Sequence, residues 1–200
     1  MAKYTDAKCK LCRREGQKLY LKGARCLSDK CAINRRNTPP GQHGKSSRGF
    51  GSDFMRQLRE KQKAKKIYGL LEGQFRTYVE EASRKRGVTG LVLLQLLERR
   101  LDNVLYLSGI SLSRSHGRQL IRQKKVMVNG ETVDIPSYLL KSGDMVSHVA
   151  VDVTPKEEGE LPAWIRWDKA AKSLKVEKMP TRDEIQTDIN EQLIVEYYSR

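Results

Sequence analysis

The sequence predicts an α+β fold, mainly α with a small β component, headed by a knot of four cysteines suited to a metal ion. Three observations carry that prediction. All four cysteines fall within the first 31 of 200 residues. From position 54 to position 107 apolar residues recur at helical spacing, the mark of helices with one buried face. At 129–130 an Asn-Gly pair separates two β-prone runs, the strongest short-range signal for a hairpin.

Cys9, Cys12, Cys26 and Cys31 read C-x2-C, thirteen residues, then C-x4-C. Each short spacer lets one turn present two sulfurs to one ion, and the longer loop joins the pairs. Zinc is the first expectation; an iron–sulfur cluster uses the same four thiolates. Two disulfides would use the same residues, but no leader-like apolar segment indicates an oxidising compartment. Four thiolates leave no open position for water, so the expected role is structural. Arg13, Arg14, Lys18, Lys22 and Arg25 lie between the pairs, and Arg35 and Arg36 follow. Residues 1–45 therefore read as a basic, metal-stiffened extension.

Residues 37–52 hold Pro39, Pro40 and four glycines and read as loop. A helix is expected from Phe54 to Tyr68, capped by Asp53 and stopped by Gly69. Six cations, Arg56, Arg59, Lys61, Lys63, Lys65 and Lys66, share it with one interior acid, Glu60. That imbalance points to phosphate rather than to a merely solvated face. A second helix fits Glu72 to Lys85 with Phe75, Tyr78, Val79 and Ala82 as its core stripe. A third fits Leu91 to Leu107, with Leu94, Leu97, Leu101, Val104 and Leu105 on one side. Residues 46–98 make a helical domain on this reading.

From about residue 99 the pattern changes. Ser113 is a good N-cap for a short helix to about Lys124, on which Arg114, Arg118 and Arg122 stand four apart and line one face. A hairpin from Lys125 to Val133 follows, and then a strand from Met145 to Val153. Two helices and a hairpin thus form a unit over 99–153. Residues 154–161 read as a polar linker, and 162–200 as strand-like pieces with Trp164 and Trp167, then a helix from Asp188 to Tyr198 bearing Ile189, Leu193 and Tyr197.

The formal net charge is +15, and it is uneven. Residues 1–50 hold 13 basic and 3 acidic side chains, residues 51–150 hold 18 and 10, and residues 151–200 hold 8 and 11. A compact chain with such an excess repels itself unless an anion neutralises it, and nucleic acid releases counterions when it does so. No apolar run approaches the ~20 residues of a membrane span, so the cytoplasm is the expected compartment. Enzyme motifs are missing: no H-E-x-x-H, no G-x-S-x-G, no Walker loop. Of three histidines, His43 sits among cations in the Pro/Gly loop, where a phosphate or ribose contact is the expectation; His116 opens the basic helix, and His148 lies on a strand.

Certain runs make the chain resemble a known family. They are Cys9-Lys10-Leu11-Cys12-Arg13-Arg14-Glu15-Gly16, Pro39-Pro40-Gly41-Gln42-His43-Gly44, Leu58-Arg59-Glu60-Lys61-Gln62-Lys63, Arg100-Leu101-Asp102-Asn103-Val104-Leu105-Tyr106, Val128-Asn129-Gly130 and Ile189-Asn190-Glu191-Gln192-Leu193-Ile194-Val195-Glu196. In this order they resemble the bacterial form of small-subunit ribosomal protein four, over essentially the whole chain. The resemblance implies a helical domain with an RNA-binding module inserted at 99–153, completed by 162–200. It implies a primary binder of 16S rRNA at a multi-helix junction of the 5′ domain, which nucleates small-subunit assembly and contributes to decoding accuracy. It also implies an interface with small-subunit protein five and messenger RNA nearby at its entrance. From the members that carry the knot, Cys9, Cys12, Cys26 and Cys31 are expected as the ligands of one structural zinc.

The residues expected to meet RNA are Arg13, Arg14, Arg35, Arg36, His43, Lys45, Arg48, Lys61, Lys63, Lys65, Lys66, Arg84, Lys85, Arg86, Arg114, Arg118, Arg122, Lys124 and Lys125. A helical RNA hides its base edges in a deep groove, so shape, phosphates and 2′-hydroxyls should dominate. Two rivals are an RNA-processing enzyme built on the same module and a binder of stalled ribosomes. The first finds no second domain large enough for a catalytic site, and the second would need neither the knot nor the returning tail.

Overall fold

The computed structural model describes residues 3–42, 44, 51–148, 160–168 and 171–199. The chain forms two units, one of Met1–Gly90 with Asp188–Arg200 and one of Leu91–Thr187.

In the first unit, α1 (Lys8–Glu15) ends at Gly16, whose left-handed φ of 70° suits glycine at a helix stop. A 3₁₀ turn at Gly23–Cys26 and the four-residue α2 (Ala32–Arg35) follow. The expected long helices are present as α3 (Asp53–Ile67) and α4 (Glu72–Arg84). Ser52, not Asp53, is the N-cap of α3, and Asp53 lies in the first turn, where its charge suits the helix dipole. Phe75, Tyr78, Val79 and Ala82 are all buried on α4, as the stripe predicts.

The tail helix, α8 (Glu191–Tyr198), is shorter than the periodicity predicts because Asn190 caps it, accepting from the N–H groups of Gln192 at 3.1 Å and Leu193 at 3.4 Å. Ile189 and Ile194 are buried; Leu193 and Tyr197 are half-buried. α8 lies against α3, where Gln57 donates to Glu196 at 3.0 Å and Phe54 and Tyr197 have ring centroids 5.7 Å apart.

The second unit corrects the sequence reading twice. The single helix expected over 91–107 is two, α5 (Thr89–Glu98) and α6 (Leu101–Leu107). Arg100 is extended, with φ −65° and ψ 134°. Its segment pairs instead with residues 136–140: Leu140 N–H bonds the Arg99 carbonyl at 3.0 Å and Leu101 N–H the Tyr138 carbonyl at 2.9 Å. Hydrogen bonds to a distant segment replace those a continuous helix would make, which periodicity cannot foresee.

Beyond α6 come α7 (Arg114–Arg122) and the hairpin β1 (Val126–Val128) and β2 (Glu131–Thr132). Asn129 and Gly130 have φ of 52° and 86°, the left-handed pair that a tight two-residue turn needs. β3 (Met145–His148) pairs with β1; the rest of the expected strand, and the linker up to residue 159, lie outside the described residues.

Residues 162–187 do not complete the helical unit; β4 (Ile165–Asp168) and β5 (Ser173–Val176) extend the sheet of the second unit. The strand order is β2-β1-β3-β5-β4 and every pairing is antiparallel. β3 would otherwise be an edge with unpaired N–H and C=O groups, and β5 satisfies it with Val146 opposite Leu174. Trp164, Ile165, Leu174 and Val176 then join one core with Leu101, Leu105, Leu120 and Ile121. Burying a side chain such as Leu174 contributes ~1.5–3 kcal/mol, which offsets the ordering of these short strands. Only the last part of the tail, from Asp188, returns to the first unit. Among the described residues, no helix is long and apolar enough to cross a membrane.

Candidate nucleic-acid interface

α7 carries the three arginines whose spacing predicts a cationic face. Ser113 caps it, its hydroxyl accepting from His116 N–H at 3.3 Å. α7 lies close over α6 because residue 117 is glycine. A Cβ there would stand 3.0 Å from both the Asp102 carbonyl oxygen and the Ser111 Oγ. The close approach brings two polar side chains of α6 under the arginines. Arg118 Nε donates to Asp102 Oδ2 at 2.9 Å. Arg114 Nε donates to Asn103 Oδ1 at 2.7 Å, and its guanidinium lies 4.5 Å from the centre of the Tyr106 ring.

Behind these contacts the network is buried. Arg100, fully buried, donates twice to Asp102, at 3.0 and 2.8 Å. Such a two-pronged, charge-assisted pair holds the carboxylate in one orientation. Asn103 Nδ2 donates to the carbonyl and the carboxylate of Glu98, at 2.9 and 2.7 Å. Thr187 donates to the other Glu98 oxygen at 2.9 Å.

Arg114 is partly exposed and Arg118 is mostly buried, its side chain 13 % exposed, while Arg122, Lys124 and Lys125 are exposed at the end of α7. Lys124 has φ 58°, which turns the chain from helix into β1. His116 Nδ1 accepts the Leu112 N–H at 3.3 Å, so its ring is engaged at the helix start. His148 stacks on Trp167 with centroids 6.3 Å apart.

The cations of α3 that were expected to face phosphate lie beside carboxylates of the fold. Lys61, buried, donates to Glu72 at 2.7 Å, and its ammonium is 4.4 Å from the centre of the Tyr197 ring. Lys65 donates to the other Glu72 oxygen at 2.8 Å. Lys63 pairs with Glu60 at 3.0 Å and Asp188 at 3.4 Å. Lys66 and Arg59 both pair with Glu15. Apart from Glu60, the acids come from α1, α4 and the tail, outside the helix itself. A count of local charges along one helix therefore overstates how much of its charge needs an outside partner.

Glu72 shows the electrostatic result. Burial pushes its carboxyl up, but the hydrogen bonds and charges of Lys61 and Lys65 outweigh this and hold it down at about 2, from the ordinary 4.5. Tyr198 donates to Glu72 at 3.1 Å, and burial together with that negative charge raises the phenol above the usual tyrosine range.

The remaining predicted residues are scattered over the first unit. Arg13 is half-buried and donates to the Thr38 carbonyl at 2.9 Å, tying α1 to the Pro/Gly loop. Arg14, Arg35, Arg36, Arg84 and Arg86 are exposed, and Lys85 is paired with Glu81 at 2.6 Å. His43, Lys45 and Arg48 lie outside the described residues.

The four cysteines are brought together. Cys9, Cys12, Cys26 and Cys31 line one cavity of about 20 Å³, with Lys22 and Arg25 on its wall. Cys26 Sγ accepts the Lys22 N–H at 3.3 Å. Burial pushes the Cys12 thiol up, and a backbone hydrogen bond at Leu19 opposes it. All four thiols are free of disulfides. Among the described residues, however, no three or more His, Cys, Asp or Glu are gathered closely enough to hold a metal ion. The four thiols line one cavity, but the expected metal knot itself is not shown.

The sequence reading gave Glu98 no role, and Asp102, Asn103 and Tyr106 entered it only as part of a run that carries the resemblance. The available signal was polarity: Asp102 and Asn103 stand between Leu101 and Val104, where an apolar stripe should have no acid or amide.

Paired helices set against a small antiparallel sheet, with arginines aimed from one helix, define a basic protein of the nucleic-acid-binding class. Residues 3–98 match the family model for the ribosomal protein S4/S9 N-terminal domain, and residues 99–146 match the S4 domain. The chain is similar to small ribosomal subunit protein uS4 of Dictyoglomus turgidum, 52 % identical over 207 positions and all of both chains. It is similar also to uS4A of Symbiobacterium thermophilum, 53 % identical over 208 positions, and to uS4 of Syntrophobacter fumaroxidans, 50 % identical over 211, again with both chains covered throughout. The chain belongs to the family of small ribosomal subunit protein uS4.

Proposed function

We propose that this chain is a structural constituent of the small ribosomal subunit, working in the cytoplasm as a binder of 16S rRNA and not as an enzyme. Likeness along the whole chain to ribosomal proteins of this family carries the reading. The arginine face of α7 supplies its chemistry. Arg114, Arg118, Arg122, Lys124 and Lys125 displace condensed counterions from the RNA phosphates, while α6 holds the first two of these in place. The exposed Arg14, Arg35, Arg36, Arg84 and Arg86 of the first unit offer further phosphate contacts. Lys61 and Lys63, buried among carboxylates, serve the fold first.

The finer reading is a primary binder that recognises a multi-helix junction of the 5′ domain, starts subunit assembly there and contributes to decoding accuracy. Its partners on this reading include small-subunit protein five, with messenger RNA nearby at the entrance. Cys9, Cys12, Cys26 and Cys31 hold one structural zinc, an iron–sulfur cluster being the alternative. The convergence of four thiols on one small cavity supports a metal, and a ligand set without oxygen suits zinc. The ion would close the segment before α3, where apolar residues are few.

The deciding experiment titrates the full chain against a transcript of the 16S 5′ domain at several salt concentrations. Replacing Arg114, Arg118 and Arg122 together by Ala should weaken binding and lower the salt slope by about one for each phosphate left without its arginine. Unchanged affinity would remove α7 from the interface.

A further inference from the structure

We infer that Asn103 is a positioning residue for RNA binding, holding the Arg114 guanidinium in one orientation before any RNA arrives. The inference rests on the reading of α7 as the RNA-facing helix and adds how its first arginine is aimed.

Asn103 is completely buried, yet it sits on α6 within the apolar core. Both bonds of its Nδ2 end run to Glu98, one to the carbonyl at 2.9 Å and one to the carboxylate at 2.7 Å. An amide has donors at one end and an acceptor at the other. With the donors committed, Oδ1 must face the opposite way, and there it accepts from Arg114 Nε at 2.7 Å. Glu98, only 2 % exposed, is itself held from its other oxygen by Thr187 at 2.9 Å. A buried carboxylate thus orients an amide, and the amide orients a guanidinium. The Tyr106 ring, its centre 4.5 Å from the same guanidinium, adds a cation–π contact.

An Arg side chain has several rotatable bonds, and immobilising it on binding opposes association. Here part of that ordering is complete in the protein alone. Aspartate at 103 would set a second carboxylate against Glu98, and an apolar residue would fill the space without aiming anything. Asparagine is the side chain that both satisfies Glu98 and accepts from Arg114.

The test is a double-mutant cycle on the full chain with the 16S 5′-domain transcript as probe, each variant first checked for folding by circular dichroism. Arg114→Ala and Asn103→Ala should each weaken binding by about tenfold, as expected for one charge-assisted contact. The double variant should lose little more than Arg114→Ala alone, because Asn103 acts only through Arg114. Arg114→Lys should bind nearly as weakly as Arg114→Ala, since lysine keeps the charge but lacks the Nε–H and the plane.

Should Arg114→Ala bind normally, both the inference and the RNA-facing reading at this position fall. Should Arg114→Ala bind weakly while Asn103→Ala costs the same with or without Arg114, only the inference falls, because Asn103 then serves stability alone. Recovery of affinity by Arg114→Lys likewise overturns the positioning role, and that arm decides the matter if Asn103→Ala does not fold.

Discussion

Lys61 Nζ lies 2.7 Å from Glu72 Oε1, so a lysine that is only 4 % exposed is matched by a carboxylate on the next helix. The pair joins α3 to α4, and Tyr198 adds its hydroxyl to the same carboxylate at 3.1 Å. Three elements of the first unit therefore meet at one acid.

The pH dependence follows from that acid. Its carboxyl titrates at about 2 in the folded chain against 4.5 ordinarily, so the folded state holds it ionised where the unfolded chain takes up a proton. Its contribution is complete above about pH 4.5 and is lost as the pH falls toward about 2. Denaturant melts between pH 6 and pH 2 should show the wild type losing stability through this window. Glu72→Gln should be less stable at pH 6, with the difference shrinking as acid is added. A gap that stays constant from pH 6 to pH 2 would contradict the assignment.

Gly117 permits the approach of α7 to α6. Gly117→Ala places a methyl group 3.0 Å from the Asp102 carbonyl oxygen, which belongs to a helix and cannot easily move. The expected cost is about 1–3 kcal/mol, typical of overpacking. Gly73→Ala is the control: it lies in α4 with nothing within 4 Å of the added Cβ, and should stabilise by up to about 1 kcal/mol. Urea melts of both variants compare them directly.

Asn190 caps α8 at the point where the tail returns to the first unit. Asn190→Ala removes the acceptor for Gln192 and Leu193 N–H and should cost about 1 kcal/mol. The backbone N–H of residue 190 keeps its bond to Glu60 at 2.8 Å, so the loss should appear as a lower denaturant midpoint with the slope unchanged. A changed slope would mean that the tail had detached.

The thiol cavity predicts a metal-dependent fold for residues 9–31. Protein prepared under reducing conditions should contain one zinc per chain by elemental analysis, or iron in the cluster alternative. Chelation should increase proteolytic cleavage between Cys9 and Cys31 while leaving the second unit intact, because metal binding and folding are linked in so small a segment. Absence of both metals at stoichiometric level, with no change on chelation, would reject the proposal.

Much of this architecture was readable from local patterns. The buried stripe of α4, the Ser113 cap, the Asn129-Gly130 turn and the grouping of the cysteines each depend on residues a few positions apart. Two features were not readable. The helix break at Arg99–Arg100 depends on hydrogen bonds to residues 138–140, and the placement of 162–187 depends on β3 needing a neighbour. Both are decided by backbone groups, which all residues but proline carry alike and which leave no trace in composition.

The cations divide in the same way. By itself the sequence determined that the chain is strongly basic, that its excess lies before residue 151, and that three arginines share one face of a short helix. Only the tertiary structure decided which charges face outward. Lys61, Lys63 and Lys66 look alike beside Arg122 in sequence, yet Glu72, Asp188 and Glu15 reach the first three, and Arg122 stays exposed. The physical reason is range. A charge pairs with whatever folding brings within about 4 Å, and those three acids lie 11, 125 and 51 residues from their lysines along the chain.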